Sequence, residues 1–503
     1  MMFLSLLLLI PFFGALVITL FPGDRSSEFF RRFSAVVLLL QSVASFALLL
    51  PFDASEGGLQ LVEHVAWLPS IGLDYALAVD GLSMPLVLMN AVLCLVAALA
   101  SRDVTNRPRI YFSLLLVISG AVNGAFLAQN LLLFFIFYEL ELIPLWLLIA
   151  VWGGANRAYA STKFLIVTAV SGMLILGAFL GLALLSGSVD FAFNPILPGA
   201  LPIGSQLLLM GALLIGFGIK IPLFPFHTWL PDAHTEASTP VSVLLAGVLL
   251  KLGTYGLLRF CLGLFPEAWQ LAAPWLAGWA AVSVLYGSLA AIAQTDMKRM
   301  VAFSSVGHMG YVLLAAAANT PISLLGAVFQ MVAHGLISAL LFLLVGIVYR
   351  KTGTRDLKVL HGLLSPEKGL PLTGTLMILA VMASAGLPGM AGFISEFLVF
   401  RGSIAAFPVA TLLSMVGSGL TAVYFLLLVN RAFFGRLSIT PDSDDPIKDA
   451  RLDVQLAPVA PRETYPAIAL AAAIVALGLL PFGLSYLSET SITALALQSM
   501  GVS

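Results

Sequence analysis

Runs of about twenty apolar residues recur along this chain, and only short polar connections separate them. An α-helix of about twenty residues crosses the hydrocarbon core of a bilayer, and it satisfies its own backbone polar groups there. Of the 503 residues, 60% are hydrophobic and only 10% are charged. The pattern therefore predicts an all-α polytopic membrane protein, a single membrane domain over residues 1–503.

The apolar runs predict about fourteen transmembrane helices. The expected bounds are 2–21, 33–51, 81–100, 110–128, 130–152, 161–186, 206–229, 239–262, 273–293, 299–317, 321–349, 371–400, 408–434 and 465–487. Span seven is interrupted at Pro222 and Pro225, and span twelve at residues 386–389, Gly-Leu-Pro-Gly. Because proline lacks a backbone donor, we expect both helices to be broken.

The two breaks lie five spans apart, so the broken spans run in opposite directions across the membrane. This spacing favours two inverted five-helix repeats, spans 4–8 and 9–13. The predicted parts are N-terminal helices at 1–105, a first repeat at 106–262, a second repeat at 270–434, and a loop with a C-terminal helix at 435–503. The alternative is that glycine and proline are simply frequent in membrane helices.

The positive charges predict the orientation. Loops after odd-numbered spans carry twenty of the twenty-four lysines and arginines. Cytoplasmic loops carry an excess of these residues. We therefore expect these loops to be cytoplasmic or stromal, and both termini to lie on the lumenal or periplasmic side.

A lone lysine, Lys220, stands deep in span seven, beside the predicted break. A charged side chain at such a depth costs about 2.5–3.5 kcal/mol even on mild scales and is a functional candidate by default. A second lysine, Lys251, lies in the middle of span eight, and Glu396 follows the break of span twelve. A charge beside a broken helix is typical of a transport pathway.

Further ionisable and polar groups accompany these three. Glu139 and Glu141 are two residues apart, so about 200° separates them on a helix and they cannot both face one partner. Polar residues recur at helical spacing in spans ten and eleven, which can support proton hops because histidine and serine both donate and accept. The candidate proton path is Glu139, Lys220, His227, Lys251, His308, His334 and Glu396, with His234 expected just outside the membrane.

Structural roles remain open for several of these residues. A buried lysine also serves as the static partner of an interhelical ion pair, and membrane histidines often make interhelical hydrogen bonds. Glu141 is predicted to be structural rather than functional. The chain has two cysteines and no phosphate-binding or dinucleotide-binding glycine motif. We therefore expect neither a cofactor nor a metal site in this chain, and no nucleic-acid partner.

Four segments resemble the antiporter-like proton-translocating membrane subunits of respiratory complex I. They are Phe134–Pro144, Phe224–His234, Leu245–Lys251 and Ser304–Gly310. With a glutamate at 396, the chain resembles the middle antiporter-like subunit, called M in bacteria and four in mitochondria. The Glu-Leu-Glu-Leu run is similar to the corresponding antiporter-like subunit of the cyanobacterial and plastid NAD(P)H dehydrogenase-like complex, including its CO2-uptake variant.

The resemblance implies a function. It implies that Glu139 pairs with Lys220, and that protons pass through Lys251, His308 and His334 toward Glu396. It places iron–sulfur clusters and plastoquinone in partner subunits of a ferredoxin or NAD(P)H:quinone oxidoreductase. It also implies neighbouring antiporter-like subunits, lipids and a soluble CO2-hydration module as partners, and a thylakoid or bacterial inner membrane as the location. The alternative function is an Mrp-type cation/proton antiporter subunit without electron transfer.

Overall fold

The computed structural model describes residues 2–21, 25–188, 190–193, 199–439 and 455–500, without the side chain of Arg462. Residues 440–454 of the predicted C-terminal loop, with the cations Lys448 and Arg451, lie outside the described residues. The described part is predominantly helical.

Eighteen helices form the described fold. They are α1 (Phe3–Leu20), α2 (Ser27–Ala47), α3 (Met84–Ala100), α4 (Pro108–Leu127), α5 (Leu131–Leu140), α6 (Leu142–Trp152), α7 (Arg157–Ser186), α8 (Ile203–Lys220), α9 (Trp229–Glu236), α10 (Thr239–Leu262), α11 (Pro266–Ile292), α12 (Met297–Ala318), α13 (Pro321–Thr352), α14 (Pro371–Ser384), α15 (Ala391–Ser403), α16 (Pro408–Phe433), α17 (Pro461–Leu479) and α18 (Phe482–Ser499).

By length and composition, 11 spans in the described residues can cross a membrane, or 12 if the pair α17–α18, bent by 66°, forms one span. Two further apolar helices, α3 and α14, are shorter than 18 residues. The protein is therefore a multi-pass membrane protein, but the predicted count of fourteen is not confirmed. The difference arises where the chain divides an apolar run into short helices.

Both predicted breaks are present. Helix α8 ends at Lys220, and α9 begins only at Trp229. Helix α14 ends at Ser384, and α15 begins at Ala391 after Gly386 and Gly389, both with positive φ. Each break is followed by one further long helix, α10 and α16, which is the element order that two five-helix repeats require. The inverted relation between the halves remains a prediction.

Side-chain caps fix the starts of several helices. The Asn130 side chain accepts hydrogen bonds from two backbone amides at the start of α5. The Asp296 side chain accepts one at the start of α12, and Thr320 and Ser323 form a capping box at α13. Such caps satisfy amides that have no partner within the helix.

Helices α10, α12 and α13 form the centre of the fold. In each of them, the apolar stretch that is long enough to cross a membrane is fully buried inside the protein. Helix α13 packs against α3, α10, α12, α14, α15, α17 and α18. A polar side chain in the buried part of α13 therefore faces protein on every side. The candidate site lies among these buried helices.

An antiparallel pair of strands stands outside the helical fold. Strands β1 (Gln60–Leu68) and β2 (Leu73–Val79) are joined by a turn in which Gly72 has a φ of 67°, a conformation that favours glycine. Glu63 of β1 accepts hydrogen bonds from the Leu4 and Ser5 amides at 2.7 and 3.0 Å. The hairpin thus caps α1, and the all-α prediction missed it.

Candidate functional site

Lys220 lies at the end of α8, where the break begins, and only 1% of its side chain is exposed. Its Nζ is 2.6 Å from Glu141 Oε1. It also lies 3.8 Å from the centre of the Tyr138 ring, within cation–π range. A cation at a helix C-terminus is favoured by the helix dipole. The carboxylate, the ring and the helix end together hold a buried ammonium.

The expected pairing of Glu139 with Lys220 is wrong in this structure, where Lys220 pairs with Glu141. The structural role expected for Glu141 stays a prediction. Glu139 is half-buried and faces Gly172, where an added Cβ would clash with its carboxylate. The two carboxylates have different contacts, Glu139 with Gly172 and Glu141 with Lys220. Which of them faces Lys220 depends on how α5 and α6 sit against α7 and α8, and the helix spacing does not define that.

The chain around Glu141 also departs from a single helix. Helix α5 ends at Leu140 and α6 begins at Leu142, with Glu141 between them. Pro144 cannot donate the backbone hydrogen bond that Leu140 would accept. The proline was visible in the sequence, and it could have indicated an interruption of span five at Glu141.

Lys251 lies on α10 and is fully buried. Its Nζ is 2.7 Å from His334 Nδ1 and donates to the Ala246 carbonyl at 2.6 Å. Ala246 belongs to a π-helical turn, Leu245–Leu249, a feature frequent at functional sites. The lysine on α10 and the histidine on α13 thus lie in direct hydrogen-bonding contact.

His308 and Glu396 lie next to the contact between Lys251 and His334. The rings of His308 and His334 are 5.6 Å apart, and His308 Nε2 is 3.8 Å from Glu396 Oε1. His308 Nδ1 and Nε2 lie 2.8 and 3.2 Å from the carbonyls of Ser304 and Ser384. Both nitrogens can donate at once only in the protonated ring. The Ser384 carbonyl is available because α14 ends there.

A small cavity of about 10 Å³ lies between His308, His334 and Glu396, with Gln330 and Ser384 in its wall. That volume is about the space needed for one water. Glu396 Oε2 accepts a hydrogen bond from Ser418 Oγ at 2.5 Å. These groups form a continuous polar cluster, named the axis here: Lys251, His334, His308 and Glu396.

The pair Glu141–Lys220 lies next to the axis, because a glycine on α10 allows the two parts of the chain to approach closely. An added Cβ on Gly253 of α10 would lie 3.0 Å from the Ile221 backbone nitrogen. Gly253 therefore allows α10 to approach the chain directly after Lys220. The two lysines lie on neighbouring elements in close backbone contact.

His227 does not join these groups. Its ring packs among aromatic side chains, 4.8 Å from the Tyr286 ring and 5.8 Å from that of Phe224. His234, expected just outside the membrane, is fully buried within the protein and stacks on Phe342 at 4.4 Å. Its burial was missed because it depends on the packing of α9 against α7 and α12 after the break.

Sequence reasoning also missed a buried ion pair. Arg259 at the far end of α10 contacts Asp80 Oδ2 at 2.5 Å, and its Nε donates to Tyr255 Oη at 3.2 Å. Lys251, Tyr255 and Arg259 recur every four residues along one helix, and that spacing could have indicated a shared face.

The comparisons with known proteins decide the family. The profile of the family described as "NADH:quinone oxidoreductase/Mrp antiporter, TM" matches residues 128–421, which include both lysines, both central histidines and Glu396. This chain belongs to that family. The match confirms the resemblance drawn from the four motifs.

Relatives extend the family match over the whole chain. "NAD(P)H-quinone oxidoreductase chain 4 1" of Synechococcus elongatus is 42% identical over 98% of this chain and 91% of its own length. "NAD(P)H-quinone oxidoreductase chain 4 2" of Thermosynechococcus vestitus is 41% identical with the same coverage.

Solved structures agree on the fold. A chain of respiratory complex I from Thermus thermophilus superposes with a TM-score of 0.85 at 28% identity, covering 98% of this chain and 99% of its own. A chain of the Mrp complex from Dietzia sp. gives a TM-score of 0.84 at 22% identity, covering 99% and 98%. The second likeness concerns the fold alone.

Proposed function

We propose that this chain is a proton-translocating, antiporter-like subunit of a complex I-type (ferredoxin or NAD(P)H):plastoquinone oxidoreductase. It is the translocating part of that enzyme, and the redox chemistry belongs to partner subunits. The observation that carries the proposal is the axis itself. Lys251, His334, His308 and Glu396 form a buried run of titratable groups with room for one water.

The geometry suggests how protons move along the axis. Lys251 Nζ donates to His334 Nδ1 in the contact of 2.7 Å, which leaves the proton of His334 on Nε2. A water in the cavity between the two imidazoles and Glu396 would carry protons between rings that are too far apart for a direct hydrogen bond. Glu396, beside the break of α14 and α15, is the acceptor at the end of this run.

The Glu141–Lys220 pair controls the protonation of Lys220. A nearby carboxylate favours the charged lysine, whereas burial disfavours it. Separation of Glu141 from Lys220 would make Lys220 a proton donor and change the field at Lys251 next to it. The membrane potential contributes about 2.3 kcal/mol per charge per 100 mV, so a modest movement of this pair is enough to couple to transport.

The partners and location follow from the same proposal. The subunit would sit beside other antiporter-like subunits and lipids in a thylakoid or bacterial inner membrane, with both termini on the lumenal or periplasmic side. The names of the relatives support a quinone oxidoreductase. A soluble CO2-hydration module remains a prediction from the resemblance to the cyanobacterial complex.

An Mrp-type cation/proton antiporter is the second candidate, because the family includes both and the fold is shared. Purification of the complex from native membranes discriminates between them. Co-purification of iron–sulfur and quinone-site subunits, with electron-donor-dependent quinone reduction, supports the proposal. A complex without them that exchanges sodium for protons contradicts it.

A further inference from the structure

A large cavity opens between the helix ends on one side of the protein. Its volume is about 480 Å³, and its wall includes Ser238, Thr239, Lys298, Gly346 and Arg350. Arg102 and Arg355 also line it, so this is the cation-rich face, which the positive-inside rule predicts to be cytoplasmic or stromal. Water can enter a cavity of this size and polarity.

His234 directly precedes residues 235–240, which line this cavity. Its side chain is fully buried, and within the described part of the chain neither ring nitrogen has a hydrogen-bond partner. Buried polar groups are almost always satisfied, and an exception requires an explanation such as a transient water or a catalytic role. The proposed function above does not use this histidine.

Helix α13 gives the position of His234. Leu343 and Gly346 of α13 line the cavity, and Phe342 stacks on the His234 ring at an interplanar angle of 10°. Ser338 and His334 follow on the same face, four and eight residues before Phe342. At 1.5 Å per residue, His234 lies about 12 Å along α13 from the level of His334.

A second set of contacts connects His234 to the cavity wall. Lys298 donates to the Ala237 carbonyl at 2.7 Å and to Ser242 Oγ at 3.4 Å. Ser242 Oγ in turn donates to the backbone carbonyl of His234 at 3.2 Å. Lys298 of the cavity wall and the backbone of His234 therefore both bind Ser242 Oγ, which holds them close together.

Building on the proposed function, we infer that His234 is the proton relay between the cavity on the cation-rich face and the axis. One ring nitrogen takes a proton from cavity water, and the other releases a proton toward Ser338 and His334. No bond other than those to the transferred protons changes. Histidine suits this step because it donates and accepts near neutral pH.

The test uses the intact complex in reconstituted vesicles, and it measures protons taken up per quinone reduced. His234→Gln is compared with Lys251→Ala, and with His64→Gln as a control. His64 lies on the β-hairpin, where it is exposed beside Asp74. We expect His234→Gln to lose proton uptake to the level of Lys251→Ala, and His64→Gln to retain it.

A second measurement does not depend on the folding of a His234 variant. Ser238→Cys places a thiol in the cavity wall, and both native cysteines are buried. A membrane-impermeant thiol reagent added on the cation-rich side should label Ser238→Cys and then abolish proton uptake. If His234→Gln does not assemble, unchanged uptake in labelled Ser238→Cys still overturns the relay.

The outcomes separate the relay from the proposed function. Unchanged proton uptake in His234→Gln, or in labelled Ser238→Cys, overturns the relay if Lys251→Ala still loses uptake. If Lys251→Ala also keeps full uptake, both the relay and the proposed axis are wrong. Loss of uptake in both new variants supports the relay.

Discussion

Glu141 and Lys220 form a buried ion pair of 2.6 Å at the point where α8 ends, and the ring of Tyr138 covers the lysine from another side. The glutamate two residues earlier, Glu139, faces Gly172 instead. The carboxylate in contact with Lys220 is therefore Glu141. This pairing differs from the one that the resemblance implied, and mutants can test its role.

Glu141→Gln should lower proton uptake per quinone reduced more than Glu139→Gln, because only the first change leaves Lys220 without its contacting carboxylate. Loss of one partner of a buried pair typically costs about 3–5 kcal/mol, so Glu141→Gln should also lower the yield of assembled complex. Both variants are measured in the same vesicles. A larger loss in Glu139→Gln would show that the working pair differs from the one described.

A double replacement separates stability from transport. In Glu141→Met with Lys220→Met, two apolar side chains fill the site, and such replacements of buried pairs are often neutral or stabilising. Assembly should return to the normal level while proton uptake stays low. Restored uptake in this double variant would mean that the pair has only a structural role.

The sequence alone predicted the features that depend on local chemistry. Pro222, Pro225 and the Gly-Pro segment predicted both helix breaks, because proline and glycine act on the backbone at their own positions. The four-residue spacing of Gln330, His334 and Ser338 predicted a polar face on α13, and all three are buried. Lys220 and Lys251 stood out because a lysine within an apolar run is rare.

The features that the sequence did not predict depend on contacts between distant segments. The choice of Glu141 over Glu139 follows from the packing of α5 and α6 against α8. The burial of His234 follows from the direction that α9 takes after the break, which no local pattern defines. Asp80 and Arg259 are 179 residues apart, so their contact appears only once α3 and α10 are placed.

The Asp80–Arg259 pair should contribute to stability. Arg259→Met leaves the Asp80 carboxylate buried without its cation, and we expect a loss of about 3–5 kcal/mol. Arg401→Met is the control, because Arg401 is an exposed arginine at a helix end. The thermal midpoint of the purified complex is the measurement. An equal midpoint for both variants would contradict the role assigned to the pair.

Glu396 is the predicted acceptor at the end of the axis. Glu396→Gln should impair proton uptake because an amide cannot take and release a proton as a carboxylate does. Glu396→Lys should retain part of the uptake, because a lysine side chain can also take and release a proton. Ser418→Ala, which removes only a hydrogen bond to this carboxylate, is the milder comparison. Unchanged coupling in Glu396→Gln would limit Glu396 to a structural contact.

The orientation can be tested with cysteines. Lys358→Cys lies on the exposed loop before α14, and Glu56→Cys lies on the exposed segment before β1. An impermeant thiol reagent on the cytoplasmic or stromal side should label the first but not the second. The buried native cysteines give little background. The reverse pattern would overturn the predicted orientation.

Lys220→Ala gives the most direct test of the claim that protons move through this buried set of residues. Complexes with and without the substitution are reconstituted in vesicles, and proton uptake is measured against quinone reduced. We predict that the Lys220→Ala complex assembles in lower yield, because Glu141 loses its partner, and that the assembled complex translocates far fewer protons per quinone. An assembled Lys220→Ala complex with normal turnover and an unchanged proton-to-quinone ratio would contradict that claim.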